Sequence, residues 1–184
     1  MKKLPFLFTI AALCISTAAF ANVPHTASTD SAQSSTIPHT IRHDMTNYVL
    51  TDDAAQFISK PIIVNGKKIN ARPLQLNGCI LVPARAVSNA LGFTTTWDAM
   101  NYAVTITAPY MKTTQYMGED LSSAVTTIPG TVGMTAPISW GAPPVLLNNT
   151  AYVPVEIFKI IQGNDPKTVS ITDTAIEINT VSVP

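Results

Sequence analysis

From about residue 60 onward, apolar residues recur at the two-residue spacing of strands or in short runs at helical spacing, and Asn, Gly and Pro punctuate them. The stretch from Leu76 to Gly92 is the clearest case. Leu76, then Asn77-Gly78, then Cys79-Ile80-Leu81-Val82 reads as strand, turn and strand, because Asn and Gly accept the positive φ angles of a two-residue hairpin turn. Pro83 suits the first position of a helix, where its missing N–H costs nothing, and Gly92 suits the left-handed residue that ends one. Between them Ala84, Val87 and Leu91 fall on one face with Ala86 and Ala90 beside it, so the predicted helix lies close against a sheet.

The same pattern returns without a gap from Leu147 to Gly163, matching at Leu147, Asn148, Val153-Pro154 and the closing Gly163, with Pro73 and Pro144 also in register. Two copies are too few for a solenoid, so the reading is a pseudo-duplicated single domain whose halves share a core. Pro61-Ile62-Ile63-Val64-Asn65-Gly66-Lys67-Lys68-Ile69 is a further hairpin. Phe93 to Asp98 and Tyr102 to Thr107 are strands by their β-branched and aromatic content, with the Asp98 side chain starting the turn between them. Val169-Ser170-Ile171-Thr172 and Ala175-Ile176-Glu177-Ile178 form a final hairpin. Asn47 to Leu50 is a short strand, and Asp52 caps a turn of helix through Phe57-Ile58. The segment from Ala108 to Ala142 lacks helical periodicity and exceeds an ordinary connection, so it either adds sheet, with Val125 to Ile128 as a strand, or displays a binding surface. The expected fold is α+β: antiparallel strands and hairpins packed on two short helices, opened by Pro83 and Pro154.

Composition changes the picture ahead of residue 60. Lys2 and Lys3, an apolar run through Ile15 and the small-x-small sequence Ala19-Phe20-Ala21 form a secretory signal over residues 1–21. The apolar run is too short to span a bilayer and nothing like it recurs, so the expectation is an extracytoplasmic protein, periplasmic or secreted, with no transmembrane segment after cleavage near Ala21. Leu13 before Cys14 fits poorly with lipoprotein processing. Residues 22–44 are Ser, Thr, Ala, Pro and His with almost no large apolar side chains, a flexible tether that cannot offset its ordering entropy. The folded domain then runs over 45–184, its halves at about 60–108 and 109–180. Basic and acidic residues balance at eleven each, which removes the electrostatic case for nucleic acid. Once Cys14 is cleaved off, Cys79 stands alone, so the core must supply stability and a Cys79 disulfide offers a route to a dimer.

The residues Ile63-Val64-Asn65-Gly66-Lys67, Asn77-Gly78, Val82-Pro83-Ala84-Arg85, Leu91-Gly92, Trp97-Asp98 and Val104-Thr105-Ile106, taken together over roughly Lys60 to Thr180, resemble the copper amine oxidase N-terminal-like (stalk) domain of exported bacterial proteins. The resemblance implies an α+β fold outside the cytoplasm. It does not imply copper, because the metal ligands and tyrosine-derived cofactor of the oxidases belong to a catalytic domain that this chain is too short to hold. Cys79 and Glu156 stand where the family pattern has Arg, and no second Trp-Asp follows Gly163.

Candidate chemistry is sparse. His25, His39 and His43 are the only histidines and all lie in the tether, so a Ser-His-Asp or Cys-His arrangement requires the tail to fold back. No phosphate-cradling Gly loop, Cys-x-x-Cys or His-Glu-x-x-His occurs. Asp52-Asp53 and Glu119-Asp120 are sequence neighbours with nothing to make them face each other across a substrate. No catalytic, cofactor-binding or metal-binding residue is assigned. Arg85 sits at the helix end that disfavours a cation, which calls for a partner, and Asp98 is the expected one. Trp97 reads as core. Trp140 lies among Gly and Pro, where either burial or exposure is open, and Tyr116 belongs to the same segment; Trp140, Tyr116 and Arg85 are the candidate binding residues. Asn148-Asn149-Thr150 spells a glycosylation sequon and also fits a turn. The leading function is an exported non-catalytic stalk-type module that binds or spaces at the bacterial cell envelope, with a cell-wall polymer or envelope protein as partner. The alternatives are a small hydrolase acting on envelope carbohydrate, and metal binding through the tail histidines.

Overall fold

The computed structural model describes residues 49–51 and 55–181. In chain order the elements are β1 (Val49–Leu50), β2 (Gln56–Phe57), β3 (Ile62–Val64), β4 (Lys67–Lys68), β5 (Leu74–Leu76), β6 (Cys79–Pro83), α1 (Ala84–Leu91), β7 (Thr94–Asp98), β8 (Ala103–Thr107), β9 (Met111–Tyr116), β10 (Ala124–Thr126), β11 (Val145–Leu147), β12 (Thr150–Pro154), α2 (Ile157–Ile160), β13 (Val169–Ile171) and β14 (Ile176–Ile178). The three predicted Asn-led turns all form. Asn65-Gly66, Asn77-Gly78 and Asn148-Asn149 have positive φ at both positions, between 48° and 84°, which twists each hairpin in the sense its strands prefer.

The expectation of an α+β fold is overturned: the fold is mainly β, with fourteen strands in three sheets among the described residues against helices of eight and four residues. Three local causes account for this. The aperiodic segment after Ala108 adds β9 and β10 to a meander. Gln56-Phe57, expected in a turn of helix, pairs antiparallel with β5, while Asp52 lies outside the described residues. The second helix starts three residues after Pro154, behind a tight turn in which Phe158 N–H donates to Val155 O at 3.1 Å and Lys159 N–H to Glu156 O at 3.0 Å. Val155, Ile157, Phe158, Ile160 and Ile161 are all buried, with the half-buried Glu156 and Lys159 on the side away from them, so this short segment is a plug pressed into the core. The first helix behaves as expected. Pro83 precedes α1, Ala84, Val87, Ser88 and Leu91 are its buried residues, and Gly92 at φ 79° ends it. Two strand pairs are parallel, β1 with β11 and β14 with β3, where only antiparallel pairing was expected.

The duplication is written into the topology. In the six-stranded central sheet, ordered β1-β11-β12-β6-β5-β2, the two repeated hairpins meet along β6 and β12. Val82 pairs with its repeat counterpart Val153, flanked by Pro83 with Tyr152 and Leu81 with Pro154, so a local two-fold passes through the Val–Val pair. The other two sheets exchange hairpins between halves. The first half ends in β7 and β8, completed by β9 and β10 of the second, in the order β10-β9-β8-β7; the second half ends in β13 and β14, completed by β3 and β4 of the first, in the order β13-β14-β3-β4. Lys60 Nζ donating to Thr172 O, and Asn65 Oδ1 accepting from Thr180 N–H and Oγ1–H, tie the two ends of the domain together.

Both faces of the central sheet are apolar. Val82, Val153, Ile62, Ile106, Phe158, Ile176 and Ile178 form the main core, and Leu74, Leu81, Val145, Leu147 and Tyr152 a second cluster. Truncating Phe158 to Ala leaves a large cavity among side chains that cannot collapse, and is expected to cost about 3–5 kcal/mol. Asn65→Ala loses a tolerated left-handed residue and two bonds to Thr180, for about 1–2 kcal/mol. Urea denaturation followed by tryptophan fluorescence checks both.

Candidate functional site

Arg85 occupies the first turn of α1, two residues after Pro83. Its guanidinium does not find Asp98. The Asp98 carboxylate instead accepts Met100 N–H at 2.9 Å, Asn101 N–H at 3.2 Å and Asn101 Nδ2–H at 2.7 Å, closing its own hairpin turn. The Asn101 side chain, then its backbone N–H, hold the Asp98 carboxyl below its ordinary pKa. Among the described residues Arg85 has no ion pair, so the expected tie between helix and hairpin is replaced by a cation facing a groove.

That groove, about 410 Å³, runs between the repeated hairpin of the second half and the strand pair β7–β8. Val104, Leu146 and Ala151 contribute its apolar lining, and Asn149 and Thr150 its hairpin-turn side. Trp97 and Tyr102 form the aromatic wall, edge to face with ring centroids 6.2 Å apart and planes at 79°. Trp97 is half-buried and packs on the main core, as expected, yet its remaining surface lines the groove. Tyr102 is 37 % exposed at the end of the Asp98 turn with φ 46°. No carboxylate, imidazole or thiol lines the groove. It can stack planar or C–H-rich surfaces and donate hydrogen bonds; its own side chains hold no acid–base pair.

Of the three candidates from the sequence, this groove contains Arg85 but neither Trp140 nor Tyr116. Tyr116 ends β9, opposite Ala103, and is 38 % exposed on the other face of its sheet from Trp97 and Gln115. Trp140 is half-buried against the main core, with its indole Nε1–H enclosed and unpartnered. Tyr102, Asn149 and Thr150 are not among the binding candidates: the sequence reads Tyr102 as the start of a strand, and Asn149 and Thr150 as part of a turn and sequon. The internal repeat places Asn149 at a hairpin tip, but nothing in the order of residues says which surface that tip meets. The tail histidines lie outside the described residues, and among the described residues no three His, Cys, Asp or Glu side chains cluster as metal ligands.

Trp140 is held by a polar knot. Asp120 accepts Ser139 Oγ–H at 2.6 Å, Trp140 N–H at 2.8 Å and Gly141 N–H at 2.8 Å, while Cys79 Sγ–H donates to Trp140 O at 2.6 Å. Burial by itself raises the Asp120 pKa, but the Ser139, Trp140 and Gly141 donors outweigh it and leave the carboxyl below its usual value. Burial, then the Asp120 charge, push the Cys79 thiol up, so its thiolate is scarce at neutral pH. Because the Asp120 pKa is lowered on folding, its stabilisation is fully present above the unfolded carboxyl value and is lost as pH falls through the folded one. Asp120→Asn is expected to cost about 1–2 kcal/mol at pH 7 and to differ progressively less from the unsubstituted protein as pH falls below about 4. Urea titrations at pH 7 and pH 3 measure the difference.

Comparison with known proteins agrees with the resemblance noted from the motifs. A family model described as the copper amine oxidase N-terminal domain matches residues 63–176, more than half of the chain, beginning within β3 and ending at the first residue of β14. No curated protein and no solved structure matches the chain. The matched region spans both repeated hairpins and the exchanged strands β9, β10 and β4, and stops where β14 begins. This domain is a non-catalytic, stalk-type region of copper amine oxidases. With its Asn-led hairpins, Val-Pro helix entry and local two-fold all inside the match, the chain belongs to the copper amine oxidase N-terminal domain family.

Proposed function

We propose that the chain is an exported, non-catalytic module that binds or spaces at the bacterial cell envelope, and that it holds a cell-wall polymer in the groove between Arg85 and Trp97. The observation that carries this reading is the pairing of an aromatic wall with a guanidinium that has no ion pair among the described residues. Sugar rings present C–H faces to an aromatic plane and hydroxyls to donors at the same time. Trp97 and Tyr102 supply the first surface, and Arg85, Asn149 and Thr150 the second. The groove's volume falls within the range of pockets that hold one or a few small units, about 300–1,000 Å³. The secretory signal read over residues 1–21 supplies the route to such a partner.

Cosedimentation of the mature protein with purified peptidoglycan tests the reading. Arg85→Ala and Tyr102→Ala, both at exposed side chains, are expected to weaken retention about tenfold each, which is about 1.4 kcal/mol, without lowering the melting temperature. Equal retention of both variants and the unsubstituted chain, or retention only on protein fractions of the envelope, would remove the groove from the account.

A further inference from the structure

A second recess, about 640 Å³, shares no lining residue with the Arg85 groove and lies between the chain entering β3 and the chain leaving β4. Phe57, Ile58, Pro61 and Ile69 give it apolar walls, and Lys60, Lys68 and Arg72 are its charged lining; no carboxylate lines it. In a protein whose basic and acidic residues cancel at eleven each, three cations around one recess are not a by-product of overall charge. Among the described residues none of the three forms an ion pair. The acid nearest in the sheet is Glu177, two strands away from Lys68 across Ile63, and it does not line the recess.

Two of the three cations are oriented. The Arg72 guanidinium carbon sits 4.1 Å from the centroid of the Phe57 ring, so the ring holds one face of the planar cation and leaves its edge N–H groups as a fork. Lys60 Nζ spends one N–H on Thr172 O at 2.7 Å, which fixes the head group and leaves two donors. Lys68, on the exposed two-residue β4, supplies the third charge. A single carboxylate would neutralise only one of these charges; a phosphate group, with up to two charges and several acceptor oxygens, suits a fork flanked by ammonium groups better.

We propose that this recess is a phosphate-binding site, with the Arg72 fork as the bidentate contact, Lys60 and Lys68 as flanking charges, and the apolar walls accommodating the ligand's organic portion. The site is independent of the Arg85 groove.

Titration of the mature full chain with inorganic phosphate, followed by amide NMR shifts, is expected to move residues 57–60 and 68–72 saturably and to leave Arg85, Trp97 and Tyr102 unmoved. Arg72→Gln and Lys68→Gln are each expected to weaken binding at least about fivefold. Lys67→Gln, the neighbouring exposed lysine outside the recess, changes net charge equally and is expected to shift affinity less than about twofold. Lys68 is exposed, so its variant keeps the test decisive should Arg72→Gln unfold. Sedimentation with phosphatidylglycerol but not phosphatidylcholine vesicles, competed by phosphate, would support the site and identify a lipid headgroup as the source. Phosphate binding without vesicle binding would support the site with a soluble or polymeric phosphate. Absence of saturable shifts, or equal losses in the Lys67 and Lys68 variants, would overturn it.

Discussion

Val82 and Val153 face each other at the centre of the molecule, and the pairing of β6 with β12 around them sets where everything else must go. The pairing buries the central strands on both faces and brings the two repeated hairpins into one sheet. Neither half can then finish its own outer sheet: β8 takes β9 from the second half, and β14 takes β3 from the first. A half chain would expose ladder groups on β8 or β14, the unpaired edges that sheets avoid. The interlock also makes folding non-local, with Asn65 and Thr180 joined across a separation of 115 residues. Contacts of that span form late, because loop closure must come before they reward the chain.

The parts of this architecture legible in the sequence are those encoded within a few residues. Asn65-Gly66, Asn77-Gly78 and Asn148-Asn149 announced their turns because few residue types tolerate their dihedral angles. Pro83 and Gly92 bracketed a helix for the same kind of local reason, and the repeat itself was visible by laying Leu76–Gly92 on Leu147–Gly163. The balance of strand to helix was not legible. In the second copy, Ile157, Phe158, Ile160 and Ile161 are broken only by Lys159, and so short an apolar run reads equally as strand, helix or plug until its surroundings are known. Nor does spacing along the chain say that β3 will lie beside β14, or in which direction.

The groove shows the same boundary from the side of chemistry. Arg85 was conspicuous for its unfavourable position on a helix, and Asp98 was the evident partner in sequence. Asp98 had a closer claim on it, from the amides of its own turn, and local hydrogen bonds form before distant charges meet. The displaced cation therefore faces Trp97 and Tyr102. Asp120 made the opposite use of a carboxylate, gathering three donors around Trp140 and suppressing the reactivity of Cys79 beside it.

The parallel pair of β3 and β14 has a mechanical meaning for a module of the stalk type. Ile62 pairs with Ile176 and Val64 with Ile178, so the chain enters the pair at one end of the ladder and leaves it at the other. Tension applied between residues 61 and 179, just outside the two strands, draws them past each other along their lengths. It loads all the bridging bonds at once, whereas a hairpin pulled at its open end parts one bond at a time. A pair stitched in this way resists being drawn along its own length.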